Sequence, residues 1–187
     1  MIITTLSPDD QERIHQVAQL LVKEFAEHWP HAWPDIEAAL EEVLESFELG
    51  RISRVAVSKS GQVMGWISAI MEYEGHAWQL HPLVVHPEHQ GFGIGRMLVR
   101  DLEEQIRQRG GTTIYLGTDD EDGMTSLANI DLYPDVFEHI AQIKNLKQHP
   151  YQFYQKLGFV IVGVIPDANG LGKPDILMAK RIGKLGD

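Results

Sequence analysis

Apolar residues recur at Ile14, Val17, Ala18, Leu21 and Phe25, a spacing of three and four that gathers them on one face of a helix. Ser7-Pro8-Asp9-Asp10 precedes this stripe and predicts its start, with Ser7 as N-cap, Pro8 in the first turn and acids beside it. The helix should run to about residue 27, where Trp29-Pro30-His31-Ala32-Trp33-Pro34 breaks it, and a second helix is expected over 35–48. Strands are predicted at 53–58, 63–71 and 77–85, turned by Lys59-Ser60-Gly61-Gln62 and by residues 72–76. Residues 94–109 read as an amphipathic helix closed by Gly110-Gly111, and 112–118 as a β-rich run. A long acidic loop, with helix around 134–143, leads to a helix over 151–157 and to strands at 159–165 and 176–180. With a short strand expected over 1–6, the order βααβββαβαββ, without repeat or low-complexity linker, predicts one mixed α+β domain over 1–187.

Composition narrows the chemistry. Of 187 residues, 43% are apolar and 23% charged, an ordinary globular balance. No apolar run approaches the roughly 20 residues that span a bilayer, and no basic-then-apolar leader opens the chain, so a cytoplasmic setting without membrane attachment is expected. With no cysteine, disulfides, thiolate metal sites and a cysteine acyl-enzyme are excluded. The net charge of −11, from 16 basic and 27 acidic side chains, repels nucleic acid and attracts cations. His86-Pro87-Glu88-His89 lacks the spacing of a helical metal motif, and no metal is expected. Trp29, Trp33, Trp66 and Trp78 are expected in the core or a lid rather than as nucleic-acid platforms.

The richest segment is Gln90-Gly91-Phe92-Gly93-Ile94-Gly95-Arg96, which follows a strand and opens a helix. Free N–H groups and the helix dipole make such a place an anion site, and glycines let backbone approach a pyrophosphate. The glycines fall at every second position, which fits neither a dinucleotide fingerprint nor a nucleotide P-loop. Gln90-x-x-Gly93-x-Gly95 after Leu83-Val84-Val85 resembles the acyl-CoA loop of the GCN5-related N-acetyltransferase (GNAT) superfamily. Leu80-His81-Pro82-Leu83-Val84-Val85, Thr113-Ile114-Tyr115-Leu116-Gly117-Thr118-Asp119-Asp120 and His149-Pro150-Tyr151-Gln152-Phe153-Tyr154-Gln155-Lys156-Leu157-Gly158-Phe159 are similar to chromosomal aminoglycoside 6′-N-acetyltransferases. So are Val162-Gly163-Val164-Ile165-Pro166-Asp167-Ala168-Asn169-Gly170 and Lys173-Pro174-Asp175-Ile176.

The resemblance implies a largely antiparallel sheet splayed between strands 4 and 5, acetyl-CoA as acetyl donor, a homodimer, and direct transfer to a primary amine of a small cationic substrate. It implies that Leu83, Val84, Val85, Gln90, Gly91, Phe92, Gly93, Ile94, Gly95, Arg96, Tyr154 and Lys156 line the cofactor. Tyr154 would protonate the departing thiolate, and the Leu83 N–H would meet the acetyl carbonyl. His81 would lie near the amine, with a glutamate two residues before it in the relatives; this chain has Gln79 there, and an amide cannot act as a base. His81 and Leu83, two apart, are expected to share a strand face. Asp119 is the other candidate base, and Asp120 with it would meet the cation, against the plainer reading of a solvated acidic loop. A water relay without a dedicated base is a third route. An aminoglycoside amine, another amine such as a polyamine or a protein amino terminus, and a non-catalytic acyl-CoA sensor are the competing functions.

Overall fold

The computed structural model describes residues 1–183, which form two compact units. The first holds Met1–Ile114 and takes up the chain again at Ile182. Its strands β1 (Ile2–Thr5), β2 (Arg51–Val57), β3 (Val63–Glu72) and β4 (Ala77–Val85) form an antiparallel run in that order. Helices α1 (Gln11–Phe25) and α2 (Ile36–Glu45) cover one face and α3 (Ile94–Gln108) the other.

The two faces follow from the period-2 alternation of β3, both sides of which are buried. Trp66 joins Ile14, Val17, Leu21 and Val43 in the core under α1 and α2. Its neighbour Gly65 points the other way: a Cβ there would stand 3.1 Å from Leu98 of α3. On β2 the same alternation sends Val55 to the α1–α2 core and Arg54 to α3, where its guanidinium donates to both Asp101 oxygens at 2.6 and 3.0 Å. Helix α1 starts later than expected. Ser7 to Asp10 forms a turn of its own, closed by Asp10 N–H to Ser7 O at 3.0 Å, and the N-cap is Asp10, whose carboxylate accepts from Arg13 N–H at 3.1 Å.

The second unit is Tyr115–Arg181. It contains β5 (Thr113–Asp119) beyond Ile114, α4 (Val136–Ala141), α5 (Tyr151–Lys156), β6 (Val160–Ile165) and β7 (Asp175–Arg181), with strand order β5-β7-β6 and an antiparallel β6–β7 pair. The helix expected around 134–143 splits into a 3-10 turn at Tyr133–Asp135 and the short α4. Among the described residues no helix is long and apolar enough to cross a membrane.

Candidate active site

Strand β4 carries Gln79, His81 and Leu83, and an irregularity decides where each points. Up to Leu80 the partners run Ala69↔Leu80 and Ile70↔Gln79; from Leu83 they run Ile67↔Leu83 and Trp66↔Val84. His81 and Pro82 therefore lie opposite the single residue Ser68, one residue too many on β4. Such a bulge flips the face on which alternate side chains emerge. Val84 lies in the core under α1 and α2, whereas Trp78, an even number of residues away, lies beside Gly111 and Ile106 next to α3. The expectation that His81 and Leu83 share a face is thus corrected: Gln79 and His81 face α2, and Leu83 faces α3. The role implied for Leu83 uses its backbone N–H and does not depend on side-chain direction.

His81 stands beside two groups from the connection between α1 and α2 and from α2 itself. Its Nε2 is 3.6 Å from Glu42 Oε2, and its ring centroid lies 5.9 Å from that of the buried Trp33. Sequence reasoning passed over Glu42, one acid among five in 37–48. The available signal was its position three residues after Ala39 and four before Ser46, both buried on the sheet side of α2.

After β4 the chain makes a short turn over Pro87–His89 and reaches the glycine segment. Gly91 and Gly93 have φ of +79° and +84°, in the left-handed region that favours glycine, and a Cβ at either would meet nothing within 4 Å. Gly93 is the N-cap of α3, which has neither a side-chain cap nor an acid in its first turn. Its first N–H groups lack intrahelical partners by geometry, so a 15-residue helix presents an open, positive end. Arg96 in that turn is exposed, as is Phe92, and Ile94 is buried as the helix's anchor. The segment fits a pyrophosphate. Gln90 acts as a strut beside it: its amide donates to Val85 O at 3.0 Å and to Glu24 at 3.1 Å.

In the second unit, α5 has six residues and is held at both ends. At its start, buried His149 accepts from Tyr151 N–H at Nδ1 (3.2 Å), and its Nε2 meets Asp119 O at 3.0 Å. That pattern fits a neutral ring with its proton on Nε2. Burial pushes the imidazole below its ordinary range, which favours this neutral form. At its end, Gly158 turns at φ +90° and Phe159 N–H returns to Tyr154 O at 3.1 Å. Tyr154 is buried, with ring centroids 5.1 Å from Phe153 and 5.6 Å from Phe159, and burial raises its phenol well above the ordinary range. It packs against both rings, and burial keeps its phenol protonated. Lys156 is exposed.

The acidic run 119–122 is neither a uniform solvated loop nor a uniform mouth. Asp120 is fully buried, its two oxygens accepting from Met124 N–H at 2.6 Å and Thr125 N–H at 2.7 Å. The expectation that Asp120 meets substrate is corrected, because its carboxylate folds the loop. Half-buried Asp119 accepts from Asn169 Nδ2 at 2.6 Å. Glu121 faces Lys173 at 3.6 Å. Asp175 completes this acidic group and was missed as a single side chain. Burial first, and the Asp119 charge second, push it up to about 6, partly offset by a hydrogen bond from the Thr118 backbone.

A raised carboxyl has a signed consequence. Its contribution to stability is intact below the ordinary value near 3.8 and is lost as pH rises through about 6. Asp175→Asn should therefore be more stable than the parent at pH 8, by on the order of 1–2 kcal/mol after allowing for partial exposure. The gain should shrink towards pH 5. Urea unfolding at the two pH values is the check, and a pH-independent difference would refute the shift.

Comparison with known proteins places this geometry. The family model for the acetyltransferase (GNAT) family matches residues 14–133. A crystal structure of aminoglycoside 6′-N-acetyltransferase complexed with coenzyme A superposes with a TM-score of 0.93 and 44% identity, both chains covered in full. The aminoglycoside 6′-N-acetyltransferase from Enterococcus faecium gives 0.89 and 43%, again over the whole of both chains. An aminoglycoside 6′-acetyltransferase of type Ii gives 0.75 and 38% with the same coverage. A comparison with curated protein sequences gave no match. By the family model and by full-length similarity to three solved acetyltransferases, the chain belongs to the GNAT acetyltransferase family.

Proposed function

We propose that the chain transfers acetyl from acetyl-CoA to the 6′-amine of an aminoglycoside. The observation that carries this reading is the 44% identity, over both full lengths, to an aminoglycoside 6′-N-acetyltransferase crystallised with coenzyme A. A net charge of −11 supports a polycationic substrate. The reading treats 1–187 as one catalytic domain, of which 184–187 lie outside the described residues, and includes a homodimer in the cytoplasm, the former open to light scattering.

When bound, acetyl-CoA supplies an activated acetyl group on a thioester. The amides of Gly91 to Gly95 and the α3 dipole would hold its pyrophosphate, with Arg96 adding charge. Backbone groups at Leu83, Val84 and Val85 would align the pantetheine arm. The Leu83 N–H would receive the carbonyl oxygen as negative charge gathers on it. The Tyr154 hydroxyl, kept protonated by burial, would give its proton to sulfur. Asp119 would draw the cation, and the Asn169 amide would fix its carboxylate.

Gln79 in place of a carboxylate favours a second reading, acetylation of a different amine. Thiol release from acetyl-CoA with an aminoglycoside, a polyamine and a peptide amino terminus separates the two. The first reading expects the highest kcat/KM with the aminoglycoside. Preference for another amine would establish the second, and acetyl-CoA binding without thiol release from any amine would make the chain a sensor.

A further inference from the structure

Glu42 combines features that a surface acid of an amphipathic helix does not have. Its side chain is only 14% exposed, and Oε2 lies 3.6 Å from His81 Nε2. Its other oxygen, Oε1, is buried and finds no hydrogen-bond donor among the described residues. An ionised carboxylate in such a place is costly unless something cationic sits against it. The nearby group that can become cationic is the His81 imidazole, itself 45% exposed on its outer side. One end of the pair is thus inside the protein and the other reaches solvent.

The rest of the unit holds this pair in place. One turn beyond Glu42, buried Ser46 donates to Val43 O at 2.6 Å and shares a 2.9 Å hydrogen bond with Ser53 Oγ, and Trp66 Nε1 donates to the same Ser53 Oγ at 2.9 Å. Helix α2 is thereby pinned to β2 and β3 through buried polar groups. Trp33 closes one side of the His81 ring. His81 shares with Gln79 the strand face turned towards α2, and the extra residue in β4 sends Leu83 to the other face. Gln79, on the same face, has no acid–base capacity.

We infer that Glu42 is the positioning carboxylate of His81, and that this pair takes the proton from the substrate's primary ammonium group; this rests on the acetyl-transfer reading above. His81 touches the amine, and Glu42 acts through it by fixing the ring and balancing the charge it acquires, the division of labour of a base and its orienting acid. The ammonium gives one proton to the pair, which passes it to solvent. The nitrogen–carbon bond then forms as the carbon–sulfur bond breaks. The nitrogen sheds its surplus proton as the thiolate gains one, leaving acetamide, free thiol and one net proton released.

The test is steady-state thiol release with acetyl-CoA and an accepted amine, for the full chain and Glu42→Gln, Glu42→Asp, His81→Asn and the Glu42→Gln/His81→Asn double variant. Glu42→Gln keeps side-chain volume, so Tm and the KM for acetyl-CoA should not move while kcat falls by roughly 10- to 100-fold. Glu42→Asp should recover part of the loss. Glu42→Gln should cost nothing further in the His81→Asn background, because the two act as one unit. Wild-type kcat in Glu42→Gln, or losses that multiply in the double variant, would overturn the inference. So would a loss matched by a falling Tm and not relieved by aspartate. If the parent chain itself releases no thiol with any amine, the acetyl-transfer reading fails, and this inference fails with it.

Discussion

Tyr154→Phe should lower kcat by roughly 10- to 1,000-fold, the range for loss of a general acid, while leaving acetyl-CoA affinity and Tm near those of the parent. The substitution removes one oxygen. The ring keeps its contacts with Phe153 and Phe159, and the backbone return of Phe159 N–H to Tyr154 O is untouched. Burial holds the phenol protonated well beyond its ordinary range, so no alkaline loss of activity up to about pH 10 should trace to this group. Calorimetry with acetyl-CoA, thermal unfolding and turnover with chemistry limiting form the measurement. Unchanged turnover would falsify the proton-donor role and leave Tyr154 as core.

The second large effect is on binding. Gly93→Val places a β-branched residue at a φ of +84°, where side chains are strained by about 1–3 kcal/mol. A Cβ there meets nothing within 4 Å, so the fold has room for the valine itself. Backbone strain and a new side chain at the open end of α3 should together raise the Kd for acetyl-CoA by about 10- to 100-fold. Gly93→Ala should fall between parent and valine. A folded Gly93→Val variant with unaltered affinity would remove this loop from the cofactor site.

Both predictions rest on features that could be read in the chain. The glycine segment is legible because φ above zero, a strand before it and a helix after it are local properties that few residue types satisfy. Strand β4 is legible for a similar reason: the turn at 72–76 marks its start, and the expected bounds coincide with the observed Ala77–Val85. The N-cap of α1 was misplaced by three residues, since Ser7 and Asp10 both offer a capping oxygen and only the turn between them decides.

What the sequence hid depends on partners distant along the chain. The extra residue in β4 shows only against the register of β3, and it separates the directions of His81 and Leu83. Asp120 reads as an acid able to meet the cation until Met124 and Thr125 fold back onto it. His149 links the Asp119 carbonyl to the start of α5 across 30 residues. Asp175 becomes unusual only through burial and the charge of Asp119. Glu42 is hidden most thoroughly, because a glutamate in Ile36-Glu37-Ala38-Ala39-Leu40-Glu41-Glu42 is ordinary helix sequence, and its meaning lies in the histidine that β4 turns towards it.

Identification of the acetylated atom tests the central claim most directly. The parent chain should be incubated with acetyl-CoA and an aminoglycoside bearing a 6′-amine, and in parallel with the counterpart bearing a 6′-hydroxyl, and each product analysed by mass spectrometry and NMR. The account predicts one acetyl group per molecule, on the 6′-nitrogen, formed in step with one thiol, and no comparable product from the hydroxyl compound. Acetylation at another nitrogen, or equal turnover of the two compounds, would contradict it.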